Sequence, residues 1–175
     1  MYEDNTPHIT TPVAEAGREV SERRAGTISR MVDEAAKHGL DDQFAYDAVY
    51  DYGLENAHEF RKTMKDPKSF KEFTSLFGTG IGKQIYEMER VVDNDDELEI
   101  NFHYCPYVAK WVKQGKTPEQ ISRLCVIAMA GDHAFATQFP QLEFSLDGTI
   151  ADGDHRCILR FTRKKSQPQE GEPKQ

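Results

Sequence analysis

The sequence lacks the features that mark membrane, secreted and nucleic-acid-binding proteins. Its apolar runs are too short to span a bilayer, and the segment MYEDNTPHITTP (1–12) has neither the basic nor the apolar region of a secretory signal. Basic residues (22) are fewer than acidic ones (30), and no basic stripe follows a predicted helix, which argues against nucleic acid. These absences predict a cytoplasmic protein with no membrane or nucleic-acid partner.

Cysteine is also scarce. The three cysteines cannot all pair within one chain and none stands in a C-x-x-C motif, so we expect reduced thiols. A chain of 175 residues can bury a core without disulfides, and the sequence predicts a single domain over residues 11–163. The polar segments 1–10 and 164–175 have no apolar periodicity and predict disordered tails. The sequence leaves open whether the domain forms a homo-oligomer.

Helical spacing of apolar residues dominates the first half of the chain. Thr11, a capping residue followed by proline, predicts the start of a helix that ends near Gly39. A second helix is predicted to begin at Asp41 or Asp42, and a short third helix follows Pro67. The first half is therefore predicted to be helical.

A glycine-rich stretch, FGTGIGKQ (77–84), follows the third helix. It does not match a phosphate-binding loop, which needs four residues between its glycines and Ser or Thr after its lysine, where Gln84 stands. We therefore interpret it as a turn between helices, and predict that a helix resumes through Ile85, Met88 and Val92.

The apolar period changes in the second half. ELEINFHYC (97–105) alternates strictly, as in a strand, and LEFSL (142–146) and HRCILRFTR (155–163) predict further strands. Two helices are predicted in between, one after Cys105 and one that starts with a capping box at Thr117. This order predicts an α+β fold, with N-terminal helices followed by a small antiparallel sheet of three or four strands and two inserted helices.

The residues suited to chemistry cluster in this second half. All three cysteines and three of the six histidines lie between His103 and Cys157. Cys105 ends a predicted strand just before a proline-started helix, where the helix dipole lowers a thiol pKa and favours the thiolate. Cys105 is therefore the preferred nucleophile, with a packed structural thiol as the alternative.

Cys125 and Asp132 lie two turns apart on one face of the last predicted helix. Free cysteine is often a buried apolar residue, but a carboxylate on a core-facing stripe is costly to bury without a partner. Asp132 therefore indicates either a cavity on this face or a structural cap. Cys157 shares its strand face with His155 and is predicted to point inward.

Two His-x-Cys pairs, His103 with Cys105 and His155 with Cys157, raise a metal-binding alternative. Strand residues two positions apart share a face, so two such pairs would supply a tetrahedral His2Cys2 zinc site. Ordinary zinc sites, however, usually hold their cysteines in C-x2-C knuckles. We therefore assign no cofactor, and keep a divalent metal such as zinc as the alternative.

The second half also carries an ordered set of motifs within CPYVAKWVKQGKTPEQISRLCVIAMAGDHAFATQFPQLEFSLDGTIADGDHRCILRF (105–161). These are Cys105-Pro106, Trp111, Leu124-Cys125, Asp132, the strand 142–146, and Gly153-Asp154 before Cys157. In this order they resemble the core of the L-2-amino-thiazoline-4-carboxylic acid hydrolase family. The resemblance spans residues 97–162, and the helical first half agrees only in general character.

The resemblance implies hydrolysis of a carbon–nitrogen bond other than a peptide bond. The substrate would be a small cyclic amidine of the thiazoline type, opened at its C–N or C–S bond to a carbamoyl-cysteine-like product. Its electrophilic ring carbon would be attacked by a thiolate, or by water activated by a carboxylate or a metal. The residues implied are catalytic Cys105, Asp132, Asp154 and Cys157, and substrate-binding Arg156, Cys125 and His155, with Lys110 or Arg123 as alternatives to Arg156 for the substrate carboxylate.

Two other functions fit the same residues. A ligand-binding or sensor domain without turnover would also place cysteines around a pocket, and a metal-binding domain would use His103, Cys105, His155 and Cys157. The hydrolase interpretation depends on one expectation, that the first and last predicted strands meet near the helix of Cys125 so that the cysteines share a pocket.

Overall fold

The computed structural model describes residue 2 and residues 4–165. In this part of the chain six α-helices flank one four-stranded antiparallel sheet, which confirms the predicted α+β class. None of the described helices has the length and hydropathy that a bilayer-spanning segment needs. The helices are α1 (Pro12–Lys37), α2 (Gln43–Lys62), α3 (Phe70–Leu76), α4 (Gly82–Ile85), α5 (Pro106–Lys113) and α6 (Pro118–Thr137). The strands are β1 (Met88–Asp93), β2 (Glu97–Phe102), β3 (Leu142–Gly148) and β4 (Cys157–Arg163), with a 3₁₀ turn at Ile150–Asp152.

Two long helices begin at their predicted caps. The Thr11 hydroxyl accepts the backbone N–H of Ala14 at the start of α1, and Pro12 lies in the first turn. At the start of α6, Thr117 and Gln120 form the reciprocal capping box. Local sequence therefore fixes where α1 and α6 begin, and with them the faces that they present to the core.

The sheet has the strand order β1–β2–β4–β3, and every neighbouring pair is antiparallel. The central strands β2 and β4 bury Leu98, Ile100, Leu159 and Phe161. In their register Phe102 pairs with Cys157, so the end of β2 lies beside the start of β4. The first and last predicted strands therefore meet as expected.

The segment Met88–Asp93 is an edge strand, so the predicted helix through Ile85, Met88 and Val92 is wrong beyond its first residue. Helix α4 ends at Ile85, and Glu87 then adopts a left-handed conformation with φ 52°, which does not continue a helix. From Met88 onward half-buried and exposed residues alternate, as in a strand with one covered face. Pairing with β2 favours this extended form, and tertiary contact overrides the helical spacing.

Helices α2 and α6 cross at two glycines. A Cβ atom on Gly53 would lie 2.2 Å from the carbonyl oxygen of Gly131, so this approach requires glycine. The crossing holds the next residue of α6, Asp132, close to α2.

A cluster of phenylalanine rings fills the core between α2, α3, α6 and the sheet. Neighbouring ring centroids are as close as 4.7 Å, and most pairs are edge-on or tilted, the arrangements that aromatic quadrupoles favour. This close packing makes a rigid layer on which the neighbouring side chains rest. The rings belong to Phe60, Phe73, Phe77, Phe135, Phe139 and Phe161.

The N-terminal segment differs from the disordered tail predicted for residues 1–10. The Asn5 side chain donates to the carbonyl of Cys105 (3.0 Å) and accepts its N–H (2.8 Å). The Tyr2 hydroxyl donates to the carbonyl of Ala151 (3.0 Å). Polar side chains that pair with domain backbone explain why a segment without apolar periodicity lies against the domain. Of the tail predicted at 164–175, all but residues 164 and 165 lie outside the described residues.

Candidate functional site

A cavity of about 310 Å³ lies between α1, α2, α5, α6 and the sheet. Its size falls within the range of small-molecule sites. The walls are mainly aromatic and aliphatic, and two of the core phenylalanines form part of the floor. The aromatic residues that line it are Tyr52, Phe77, Tyr86, Phe102, Tyr107, Trp111 and Phe135.

All three cysteines line this cavity, and each comes from a different element. Cys105 is the N-cap residue of α5, Cys125 lies on α6, and Cys157 opens β4 opposite Phe102. Asp132, two turns after Cys125 on α6, lines the same cavity. The structure therefore brings together four of the seven site residues that the sequence suggests.

The thiols are free, and burial raises their pKa values. For Cys105 this outweighs the backbone N–H groups of Tyr107 and Val108, which act in the opposite direction, so the pKa is raised. The expectation of a helix-lowered pKa at Cys105 is therefore wrong, because desolvation exceeds the helix-terminus effect. Burial raises the pKa of Cys125 to about 12, and it raises that of Cys157 as well.

Asp132 has an unusual environment for a carboxylate. It is half-buried, it lines the cavity, and no described residue forms a salt bridge with it. Burial raises its pKa to about 6, although the charge of Arg24 acts in the opposite direction. A carboxyl group with this pKa is ionised near neutral pH and still takes up a proton readily, as a general base must.

Arg24 of α1 provides the positive charge at the cavity. Its guanidinium lies 4.8 Å from the centroid of the Tyr52 ring, in a cation–π arrangement. Among the described residues that line the cavity, Arg24 and Asp132 are the two with charged side chains. The sequence analysis did not single out Arg24, because it stands in the polar run SERR (21–24) and belongs to no motif.

Tyr107, on α5, was also missed. It lines the same cavity, and burial raises its pKa to about 12, with smaller electrostatic effects from Arg24, Cys105 and Asp132. At neutral pH its hydroxyl is protonated and available as a hydrogen-bond donor. In the sequence, Tyr107 belongs to no motif that would single it out.

Three predicted site residues, Asp154, His155 and Arg156, do not line the cavity and are exposed. The Asp154 carboxylate accepts the backbone N–H of Thr149 (2.9 Å) and shapes the turn before β4. His155 pairs with Asp4 at 2.8 Å. The strand begins only at Cys157, so the alternation assumed for residues 155–157 does not apply.

The other proposed cations are elsewhere as well. Arg123 forms a salt bridge with Asp42, and Lys110 does not line the cavity. The substrate-carboxylate role suggested for Arg156, Lys110 or Arg123 therefore has no geometric support, since their charges lie outside the cavity.

The alternative metal set of His103, Cys105, His155 and Cys157 is not assembled. His103 lies 2.9 Å from Glu89, and His155 pairs with Asp4, whereas both cysteines face the cavity. Within the described ranges, no three His, Cys, Asp or Glu side chains are arranged to hold a metal ion. The donors present therefore do not fit a zinc tetrahedron.

Comparison with solved structures shows what this fold resembles. The chain is similar to trafficking protein particle complex subunit 3 from Naegleria fowleri, crystallised covalently bound to palmitic acid, with a TM-score of 0.54 and 19% identity. The alignment covers 83% of this chain and 95% of that one. At this identity the likeness concerns the fold alone. Comparison with curated proteins gives no match.

Comparison with family models extends further along the sequence. The model of L-2-amino-thiazoline-4-carboxylic acid hydrolase matches residues 20–161, which include every cysteine, Arg24 and Asp132. The match thus includes the first half, where the sequence motifs alone were not specific. With the cysteine order and the cavity already described, this protein belongs to the L-2-amino-thiazoline-4-carboxylic acid hydrolase family.

Proposed function

We propose that the protein hydrolyses a small cyclic amidine that bears a carboxylate, of the 2-amino-thiazoline-4-carboxylate type. The observation that carries this is the presence of one carboxylate and one cation in a largely apolar cavity lined by thiols. The carboxylate is Asp132, whose pKa is about 6, and the cation is Arg24. The family name agrees with this substrate class.

A ligand of this type has charges that complement the cavity. Its carboxylate pairs with the guanidinium of Arg24 at the side where Tyr52 lies. The flat amidine ring lies among the aromatic walls, with Asp132 within reach of its ring carbon or of a water next to it. Apolar walls around Asp132 strengthen its electrostatic contact with the ring, because they exclude water.

Water, rather than a cysteine thiolate, is the proposed nucleophile, because the pKa of Cys105 is raised. Ionised Asp132 takes one proton from water as the water oxygen bonds to the ring carbon of the amidinium. The ring C–S or C–N bond then breaks, and its electron pair stays on the departing atom, which takes the proton held by Asp132. The remaining hydroxyl proton leaves to solvent as the carbonyl forms, giving a carbamoyl-cysteine product.

In this scheme the cysteines have supporting roles. Cys105, Cys125 and Cys157 present neutral thiols to the ring sulfur, as soft and weakly polar contacts. The Tyr107 hydroxyl donates a hydrogen bond to the ring or to the developing oxygen.

Turnover of 2-amino-thiazoline-4-carboxylate by the purified full-length chain tests this proposal. Release of a thiol identifies C–S cleavage, release of a primary amine identifies C–N cleavage, and mass spectrometry confirms the gain of one water. Binding without any product at neutral pH contradicts the proposal.

A second candidate is a pocket that binds a ligand without turnover. It is favoured by the apolar walls, by the free thiols that line them, and by the structural neighbour that carries covalently bound palmitic acid. Intact mass of the protein as purified distinguishes it: an acyl adduct on a cysteine, or a fatty acid released on denaturation, supports this candidate.

A further inference from the structure

A second depression lies between α1 and α2, with a volume of about 420 Å³. We call it the α1–α2 groove, defined by Ile28 and Met31 of α1 and by Phe44 and Ala48 of α2. It is open to solvent, and the Met31 and Phe44 side chains are 56% and 39% exposed. Exposed apolar residues that cluster in a concave surface, rather than singly, mark a binding site.

The groove is continuous with the cavity described above. Arg24, Val49 and Tyr52 line both, so the stacked Arg24 and Tyr52 side chains stand at the junction. A ligand whose carboxylate reaches Arg24 is therefore at the entrance to the groove. Among the described residues that line the groove, Arg24 carries the one charge.

We propose that the α1–α2 groove is a second substrate subsite, which holds an apolar alkyl or aryl substituent on the ring carbon beside the carboxylate-bearing carbon. This deepens the proposed function and rests on it. The ring occupies the cavity, the carboxylate lies on Arg24, and the substituent passes Tyr52 to contact Met31, Phe44 and Ala48.

Two features favour a ligand substituent over a second protein chain. The groove joins the site through shared residues, and its one cation forms no salt bridge with a described residue, so it suits a ligand that brings its own anion to the junction. A second copy of this chain would instead cover the groove and the Arg24 guanidinium at its junction with the cavity.

The experiment compares 2-amino-thiazoline-4-carboxylate with the same ring bearing a propyl group beside the carboxylate-bearing carbon. Binding by calorimetry and kcat/KM are both measured on the full-length protein, so that affinity is known even without turnover. We expect the propyl compound to bind at least about tenfold more tightly, because several methylenes leave water.

Two variants test whether the groove causes this preference. Ala48→Trp fills the groove, and Phe44→Ala removes one wall; each should reduce the propyl preference to about twofold or less. Ala16→Trp, at an exposed alanine of α1 outside the groove, is the matched control and should keep the full preference. Circular dichroism and thermal melting verify that each variant is folded, and Phe44→Ala adds no bulk if Ala48→Trp fails to fold.

The outcomes separate this inference from the proposed function. A propyl preference that both groove variants remove supports the subsite, even if neither compound is turned over, in which case only the proposed hydrolysis fails. Turnover of the plain ring with no propyl preference, or a preference that the variants leave unchanged, overturns the subsite and leaves the hydrolysis standing. Light scattering could instead show a dimer that Ala48→Trp dissociates. Such a dimer, together with no propyl preference, assigns the groove to a second copy of the chain and overturns the subsite. Binding of neither compound overturns both proposals.

Discussion

Two carboxylates inside this molecule, Glu87 and Asp132, have opposite environments. Glu87 is 7% exposed; burial alone would raise its pKa, but the N–H groups of Ile9 and His8, the His8 side chain and the charge of Arg18 together lower it. Asp132 has no salt-bridge partner among the described residues, and burial raises its pKa to about 6. The comparison separates a carboxylate that ties parts of the fold together from one that lines the cavity without a salt-bridge partner among the described residues.

The partners of Glu87 connect three parts of the chain. Arg18 of α1 donates to the Glu87 carboxylate at 2.8 Å and also to the backbone carbonyls of Gln84 and Ile85. The backbone N–H of Ile9 donates to the same carboxylate at 2.8 Å. This network ties α1, the turn before β1 and the N-terminal segment together, which accounts for the left-handed backbone tolerated at Glu87.

The largest effect should follow from removing the charge of Glu87. Glu87→Gln leaves the buried Arg18 guanidinium without its counter-charge, and we expect the free energy of unfolding to fall by about 3–5 kcal/mol. Urea unfolding measures this. Glu19→Gln, in the exposed pair with Arg23, is the control and should cost less than about 1 kcal/mol. Equal losses in the two variants would mean that Glu87 is not a structural anchor.

Asp132→Asn should show the opposite result, with loss of activity and no loss of stability. We expect kcat to fall by at least about 100-fold, as for removal of a general base. Stability at pH 7 should stay equal or rise. The raised pKa of Asp132 means that its ionisation destabilises the folded state, fully so above about pH 6. This destabilisation disappears as the pH falls toward the pKa of the unfolded chain. Steady-state kinetics and thermal melting at pH 5 and pH 7 test both parts.

The control for Asp132 is Asp154→Asn, the other aspartate of the family pattern. Asp154 accepts the N–H of Thr149 outside the cavity, so we expect its kcat to stay within a few-fold of the parent. In the parent protein, kcat/KM should rise with pH through about 6 as Asp132 ionises. An activity that is flat from pH 5 to pH 7 would contradict the assignment of Asp132 as the base.

A third test changes the neighbour of Asp132. Arg24→Met removes a positive charge that lowers the Asp132 pKa, so the acidic limb of kcat/KM should move above pH 6. KM for a carboxylate substrate should rise by about 10- to 100-fold, the cost of a lost charge-assisted contact. Arg23→Met, at the exposed adjacent residue, should change neither value. If KM rises but the acidic limb of the kcat/KM profile does not move, Arg24 binds the substrate without affecting the pKa of Asp132.

The fold follows the sequence where local signals and tertiary contacts agree. The caps at Thr11 and Thr117 and the alternation of β2 predict their elements. The β1 strand was missed because its apolar spacing also fits a helix, and pairing with β2 across the turn 94–96 decides in favour of the strand. The predicted strand 97–105 ends at Phe102, and residues 155–156 were assigned to a strand that begins only at Cys157.

Only some of the residues that line the cavity could be predicted from the sequence. Cys105 was found because it precedes a proline-started helix, Cys157 because it stands on an inward strand face, and Asp132 because a carboxylate stands on an apolar stripe. Arg24 could not be found, since it comes from α1, far from the motifs, and only packing of α1 over α5 carries it to the cavity. The predicted direction of the Cys105 pKa shift was wrong for a related reason. The sequence shows that a helix starts there, but it does not show that the thiol is desolvated.

The smallest expected effect concerns the N-terminal segment, which is attached to the domain at two places. At Glu87 it is held by a buried charge, whereas at Cys105 it is held by the neutral Asn5 side chain. Asn5→Ala removes two hydrogen bonds worth at least about 0.5 kcal/mol each, so local opening over Cys105 should become at least about fivefold more frequent.

Thiol labelling of the native protein with a maleimide reports this opening. In the parent the protonated thiols should label slowly at neutral pH, and Asn5→Ala should accelerate labelling of Cys105 by the same factor and lower the free energy of unfolding by a matching amount of about 1 kcal/mol. Asp4→Ala, which breaks only the exposed pair with His155, is the control and should leave the rate nearly unchanged. Fast labelling of the parent would show that Cys105 is already a reactive thiolate, which would restore the thiol as nucleophile and remove the contrast on which water attack at Asp132 depends.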